Sequence, residues 1–246
     1  MDSSSRGRLY TTLFITITYL AICWMLFGAE EIGDISLRKW GLKPRQLDGV
    51  IGILSMHFLH GDLKHIAHNT LSFFVLNSFL FFFYREVAIK VFLWILFIGG
   101  TLLWFWGRDG NHIGASLLIY GLASFLFFSG IFRKDENMLR IALVVAFYYG
   151  SIVWYVFPVD PNLSWEGHLS GALAGLVFAW YYRGSGAPRR KYQYEIDEEK
   201  EAEMERRIAE ADWTFLSDTS EESNVFYEYL TDKNPSDDEG KDKTGA

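Results

Sequence analysis

Six largely apolar stretches of about 18 to 20 residues divide the first 183 residues, and polar or charged residues separate them. A helix needs about 20 apolar residues to cross the roughly 30 Å hydrocarbon core of a bilayer. Because lipid offers backbone groups no water to bind, stretches of this length predict helices. We therefore expect an all-α polytopic membrane protein with a bundle of six transmembrane helices. The stretches are residues 10–27, 66–84, 87–106, 115–132, 139–157 and 165–182.

Two apolar segments near the N-terminus need separate interpretation. Residues 10–27 could be a signal peptide, but the run is long for one and Gly28-Ala29-Glu30 is a poor cleavage site. We interpret it as an uncleaved first span. Residues 49–59, within the connection 30–64, are too short to cross a bilayer as a helix. They predict an interfacial or re-entrant piece whose backbone is satisfied by protein or water.

Charge divides the chain into two parts. Residues 1–183 carry 14 Lys and Arg against 12 Asp and Glu, whereas residues 184–246 carry 9 against 18. The net charge of −7 therefore belongs to the C-terminal part, and nothing in the sequence indicates nucleic-acid binding. We predict a membrane domain over residues 1–183. Residues 184–246 are predicted to be an acidic tail, partly helical or disordered.

The distribution of basic residues predicts the orientation. Six spans put both termini on one side, where eleven Lys and Arg lie in the short connections and flanking ends, against six on the other side. This bias predicts cytoplasmic termini, and a multi-pass protein of the bacterial inner membrane is expected. The second, fourth and sixth spans would then start at the outer face.

The first cluster of candidate functional residues is Gly114-Ala115-Ser116, at the start of the fourth span. It does not fit the G-x-S-x-G elbow of α/β-hydrolases, because Leu118 occupies the second glycine position. At a helix start, Ser116 would have free backbone N–H groups and the positive dipole end beside it, which favour an oxyanion. A serine in this position is also typical of an N-cap.

The second cluster begins with His168 at the start of the sixth span. His168, Gly171 and Gly175 lie on one helical face, and the two glycines form a G-x-x-x-G pattern that lets another helix approach closely. A neutral imidazole here could accept a proton from a serine and return it to a leaving amine. The alternative is a histidine at the membrane interface that caps a packing helix.

The third cluster surrounds the start of the second span. His65 and Asn69 lie four residues apart on one helical face, and both can donate hydrogen bonds to an oxyanion. His57 with His60, and His65 with His68, are spaced like metal ligands, so a metal-dependent enzyme is an alternative. Because few acids and no cysteine lie nearby in the sequence, we expect neither a metal nor another cofactor.

Together these residues resemble the rhomboid family of intramembrane serine proteases. The resemblance covers residues 44–183, which is essentially the whole apolar part. Three motifs in this order carry it: His65-x-x-x-Asn69, Gly114-x-Ser116 and His168-x-x-Gly171-x-x-x-Gly175.

The resemblance implies a catalytic dyad of Ser116 and His168 without a third acid. It also implies an oxyanion site formed by His65, Asn69 and the backbone N–H of Ser116. Tyr120 matches a family tyrosine that packs against the catalytic histidine, and it lies one turn from Ser116 on the same face. The expected function is cleavage of transmembrane segments of other membrane proteins. The loop 157–164 is predicted to cap the site and to move on substrate entry.

One residue departs from the family pattern. Leu117 follows the expected nucleophile, where relatives commonly have glycine. A larger side chain there could narrow the approach of a substrate or alter the helix start. It is the main support for the alternative that the protein is a catalytically impaired, rhomboid-like binder of membrane proteins.

Overall fold

The computed structural model describes residues 3–33, 35–133, 135–161, 163–185 and 193–217. Regular structure in these ranges is helical, and the extended pairing there is a single isolated antiparallel bridge between Leu42 and His112. Six helices coincide with the six apolar stretches of the sequence. They are α1 (Ser3–Gly33), α2 (Leu63–Phe83), α3 (Ala88–Trp106), α4 (Ser116–Phe132), α5 (Glu136–Tyr149) and α6 (Trp165–Tyr181).

Four of these helices are long and apolar enough to cross a membrane. They are α1 from Arg6 onward, α2, α3, and α5 together with its continuation to Val156. α4 and α6 have 17 residues each. The apolar segment 49–59, which the sequence predicted to be too short to cross, overlaps a run of short helical turns over Leu47–Phe58.

Local signals in the sequence set where the helices begin. The carboxylate of Asp62 accepts a hydrogen bond from the backbone N–H of His65 at 2.8 Å and caps α2. Asp135 caps α5 in the same way, and the hydroxyl of Ser164 caps α6 by accepting from Gly167 N–H. Such caps satisfy N–H groups that a helix start leaves without partners.

Two helices depart from regular α-helical hydrogen bonding. Ile95–Gly99 form a π-helical segment in the middle of α3. α5 ends at Tyr149, and Gly150–Val156 continue it as a tighter 3₁₀ helix. The 3₁₀ segment lies beside Tyr120 and His168, and the end of the π-helical segment lies against Leu117.

The centre of the bundle is α4, which packs most extensively against α6. Leu118, Leu122 and Phe125 of α4 have no exposed surface. The α4–α6 interface is lined by glycines, because Gly171 and Gly175 let the α6 backbone lie against that of α4. This brings the start of α6 next to the start of α4.

The acidic part of the chain contains one described helix, α7 (Gln193–Ser217), and belongs to a second compact unit. It lies within residues 184–246, the tail that the sequence predicted to be partly helical or disordered. Residues 186–192 and 218–246 lie outside the described residues. Apart from residues 184 and 185, they make up the rest of the predicted tail.

Candidate active site

Ser116 is the first residue of α4 and follows a turn that requires glycine. Gly114 has a φ of +112°, a left-handed conformation that strains any residue with a Cβ atom. Ala115 is the N-cap residue of α4, so the interpretation of Ser116 as an N-cap serine is wrong. Ser116 instead stands inside the first turn, where N–H groups lack helical acceptors and the helix dipole is positive.

Gly114 also lies directly against the two residues expected to bind an oxyanion. A Cβ atom on Gly114 would come within 2.6 Å of His65 Nε2 and 3.5 Å of Asn69 Nδ2. Asn69 is 8% exposed, and its Nδ2 has no hydrogen-bond partner among the described residues. A buried amide donor without a partner is costly unless a ligand uses it, so Asn69 has a donor available beside the Ser116 turn.

His168 lies in the first turn of α6 and is buried. Its Nδ1 lies 2.8 Å from the backbone carbonyl oxygen of Tyr155. Because a carbonyl only accepts hydrogen bonds, Nδ1 carries the proton in the neutral ring and Nε2 carries the lone pair. The ring is therefore held in the tautomer that a general base needs, without a carboxylate.

Tyr120 fixes the plane of the same imidazole. The two rings are stacked, with centroids 4.1 Å apart and an interplanar angle of 4°. The Tyr120 hydroxyl donates to the backbone carbonyl of Ile152 at 3.0 Å. The 3₁₀ segment Gly150–Val156 thus holds both rings through two main-chain carbonyls.

Gly171 and Gly175 allow this proximity of α4 and α6. A Cβ atom on Gly171 would lie 2.1 Å from the carbonyl oxygen of Leu117, and one on Gly175 would lie 2.1 Å from that of Gly121. No side chain fits at such distances. The two glycines therefore determine how near His168 comes to Ser116.

A cavity of about 670 Å³ brings the expected site residues together. His65, Asn69, Ser116, Tyr120 and His168 all line it. Further polar side chains at its edge make it suitable for water, which peptide hydrolysis consumes. They include Asp62, Lys64, His68, Arg108 and Asn111.

The loop predicted to cap the site contributes to the same cavity. Leu163 and Ser164 line it, as does Tyr155 from the preceding 3₁₀ segment. Asn162 lies outside the described residues. Movement of this loop on substrate entry stays a prediction.

Leu117 does not narrow the cavity. Its side chain is 2% exposed and is not among the described residues lining that space. It packs instead on α3, where a Cβ atom on Gly99 would lie 2.7 Å from Leu117 Cδ2. The expectation of a narrowed substrate path is therefore wrong, because the side chain points into the packed core.

Comparison with known proteins identifies the family. A profile of the Rhomboid domain matches residues 48–185, more than half of the chain and all of the site described above. The chain belongs to the rhomboid family. The resemblance drawn from the three motifs is thereby confirmed. Rhomboid proteins are generally intramembrane serine proteases, and this member is an integral membrane protein.

Mycobacterial relatives share the rhomboid region. Proteins of Mycobacterium bovis and Mycobacterium tuberculosis are each 34% identical over 186 residues, which span 71% of this chain and 75% of theirs. A Mycobacterium leprae protein is 30% identical over 189 residues, spanning 71% and 72%. All three are described as uncharacterized. They therefore support membership of the family, and any argument about activity depends on the site residues.

This rhomboid also has polar residues at the site that the sequence did not single out. His112 and Arg108, in the loop before Ser116, contact Ser164 and Glu166, which precede His168. Each lies within eight residues of Ser116 or His168. That closeness to Ser116 and His168 was the available signal, but sequence alone does not pair residues more than 50 positions apart.

Two histidines of the third cluster lie in contact, with the ring centroids of His60 and His65 5.1 Å apart in an edge-to-face arrangement. No group of three His, Cys, Asp or Glu side chains among the described residues is arranged to hold a metal ion. His57 and His60 are buried, and their ring nitrogens lack hydrogen-bond partners there, although carbonyls of Ile53 and Leu96 lie near His57. Burial lowers the pKa of each imidazole to about 4, which keeps both rings neutral.

Proposed function

We propose that this rhomboid is an intramembrane serine endopeptidase that cleaves transmembrane segments of other membrane proteins with a Ser116–His168 dyad. The observation that carries the proposal is the hydrogen bond from His168 Nδ1 to the Tyr155 carbonyl. It leaves Nε2 as the basic nitrogen of a ring that shares a cavity with Ser116.

In the proposed reaction, Ser116 Oγ attacks the carbonyl carbon of the scissile peptide while His168 Nε2 accepts the hydroxyl proton. The carbonyl oxygen becomes an oxyanion that accepts hydrogen bonds from Asn69 Nδ2, His65 and the Ser116 backbone N–H. As the tetrahedral intermediate collapses, His168 returns the proton to the leaving amine. Water then hydrolyses the acyl-enzyme by the same steps.

Six transmembrane helices are part of the proposal. α4 and α6, with 17 residues each, would be about 25 Å long at 1.5 Å per residue, which is near the lower limit for crossing. An even number of spans puts both termini on one side. The excess of basic residues there supports cytoplasmic termini in a bacterial inner membrane, with α7 in the cytoplasm.

The test uses purified full-length protein, a fluorescent transmembrane substrate and a fluorophosphonate that labels activated serines. Wild type should cleave and become labelled at Ser116, and Ser116→Ala should do neither. Ser72→Ala is the matched control, because Ser72 lines the same cavity without being a proposed nucleophile. Cleavage by Ser116→Ala at the wild-type rate would refute the serine mechanism, and loss of activity to a chelator would favour a metal enzyme.

A folded wild-type protein that binds the substrate but neither cleaves it nor reacts with the probe would support the binder alternative. Burial of Leu117 in the core removes a narrowed substrate path as support for that alternative.

A further inference from the structure

The loop before Ser116 and the loop before His168 are joined by hydrogen bonds through one buried histidine. His112 is 7% exposed and lies four residues before Ser116, while its partner Ser164 lies four residues before His168. The backbone of His112 is fixed from the other side, because its N–H and C=O both pair with Leu42 at 2.8 and 2.9 Å. The imidazole is therefore presented to Ser164 by a rigid backbone.

The hydrogen bonds of this histidine have a definite direction. His112 Nε2 lies 3.1 Å from the carbonyl oxygen of Arg108, which can only accept, so Nε2 donates. In the neutral ring Nδ1 then accepts, and the Ser164 hydroxyl 2.6 Å away donates to it. Ser164 Oγ in turn accepts from the backbone N–H of Gly167, the residue before His168.

We propose that His112 is a positioning residue that sets the spacing of Ser116 and His168. It acts through a relay of three hydrogen bonds: Gly167 N–H donates to Ser164 Oγ, the Ser164 hydroxyl donates to His112 Nδ1, and His112 Nε2 donates to the Arg108 carbonyl. The inference rests on the proposed dyad. His112 lines the same cavity as Ser116 and His168, but its two ring nitrogens are already paired with Ser164 and the Arg108 carbonyl, so it has none left for the reacting atoms. It joins the loop that enters α4 to the residue that caps α6.

An ion pair reinforces the relay in parallel. The guanidinium of Arg108 donates to the carbonyl of Leu163 and lies 3.4 Å from a carboxylate oxygen of Glu166. Glu166 is 2% exposed, and its second oxygen has no partner among the described residues. The carbonyl of Arg108 thus accepts a hydrogen bond from His112, while its side chain contacts Leu163 and Glu166 at the start of α6. The ion pair and the relay therefore both join the loop before Ser116 to the loop before His168.

The expected effect is on the rate of chemistry. Displacing a catalytic group by about 1 Å can cost about 100-fold in rate, whereas the relay adds little to the buried apolar area that holds the bundle. Breaking the relay should therefore lower kcat and the rate of probe labelling at Ser116 far more than it changes KM or the melting temperature.

The first test reads the relay itself, independently of activity. Protein carrying ¹⁵N-labelled histidine, in micelles at pH 7, should show His112 as the Nε2–H tautomer with an Nδ1 that accepts a hydrogen bond. The His112 signal is the one missing from His112→Phe. In Ser164→Gly the Nδ1 shift should move to that of a nitrogen without a donor. A His112 found as the Nδ1–H tautomer or as the cation would overturn the relay.

The second test reads positioning. Ser164→Thr keeps the hydroxyl and should stay within about threefold of wild type in kcat, whereas Ser164→Gly, still an accepted N-cap residue, should lose at least about tenfold. Because each single change breaks the same relay, His112→Phe with Ser164→Gly should be little worse than either alone. Additive losses, or Ser164→Gly at the wild-type rate, would overturn the inference.

The two failures are distinguishable. A wild-type protein that resists labelling at Ser116 refutes the proposed function, and a positioning role with it. A labelled wild type whose Ser164→Gly variant reacts equally fast refutes only the role of His112.

Discussion

Replacing Gly171 with alanine tests whether close contact of α4 and α6 sets the geometry of the dyad. The new Cβ would lie 2.1 Å from the carbonyl oxygen of Leu117. Non-bonded atoms are most favourable at about 3.5–4.0 Å, so the two backbones must part by more than about 1 Å. Leu117 follows Ser116, and His168 lies one turn before Gly171, so the displacement falls on the dyad itself.

The expected loss is about 100-fold in kcat/KM, which corresponds to about 3 kcal/mol of transition-state stabilisation. Substrate cleavage in detergent and thermal unfolding of the same preparation measure rate and stability together. Gly175→Ala should destabilise the fold about as much as Gly171→Ala, because its Cβ would also lie 2.1 Å from a carbonyl oxygen, that of Gly121. This contact lies one helical turn further from Ser116. The loss of activity in Gly175→Ala should therefore be smaller.

The matched control is Gly28→Ala in α1, where no atom lies within 4 Å of the added Cβ. Replacing a helical glycine with alanine in open space should stabilise by about 0.5–1 kcal/mol and leave the rate unchanged. If Gly171→Ala retained more than about one third of the wild-type rate, the separation of α4 and α6 would not control the geometry of the dyad, and the reasoning from displaced catalytic groups would fail.

Three further predictions concern single side chains. Asn69→Ala should lower kcat by about 10²–10³-fold with unchanged KM, because it removes an oxyanion donor. The control is Asn77→Ala, which breaks a buried hydrogen bond to Thr16 of α1 and should instead lower the melting temperature. Tyr120→Phe keeps the ring against His168 and should stay within about threefold of the wild-type rate, whereas Tyr120→Ala should lose about tenfold or more. The unfolded form of His57 binds a proton near pH 6.5 and the folded form only near pH 4, so stability should fall by about 3 kcal/mol as the pH drops through that window. The free energy of unfolding, measured in detergent as a function of pH, should fall in this way and should depend less on pH in His57→Phe. An equal pH dependence in the variant would contradict the prediction.

The helices could be predicted because lipid makes the length of an apolar run informative. The predicted limits of α2, α3, α4 and α6 lie within three residues of those in the structure. α1 is longer than its apolar run at both ends, because polar residues such as Glu30 continue a helix once it has begun. Hydrophobicity also does not specify hydrogen-bond register, so the 3₁₀ end of α5 and the π-helical part of α3 were not predicted.

The sequence could predict the part of the site that is formed by side chains, but not the part that is formed by backbone groups. Spacing put His65 with Asn69 and Ser116 with Tyr120 on shared helix faces, and the structure brings these pairs to one cavity. The group that fixes the His168 tautomer is a backbone carbonyl, at Tyr155. Every residue has such a carbonyl, so no sequence pattern marks it, and the same holds for the carbonyl of Ile152 that receives the Tyr120 hydroxyl.

Leu117 shows why a residue beside a nucleophile cannot be judged without its packing partner. The space for its side chain comes from Gly99, at the end of the π-helical segment of α3. A π-helical turn holds an extra residue and shifts the following positions around the helix. Gly99, the last residue of this segment, faces Leu117, and the position of its Cβ atom would be 3.6 Å from the Cα atom of Gly171. The large side chain of Leu117 fills a volume between α3, α4 and α6 that the small Gly99 leaves free. The departure from the family pattern therefore changes the packing of the core and leaves the cavity beside Ser116 unobstructed.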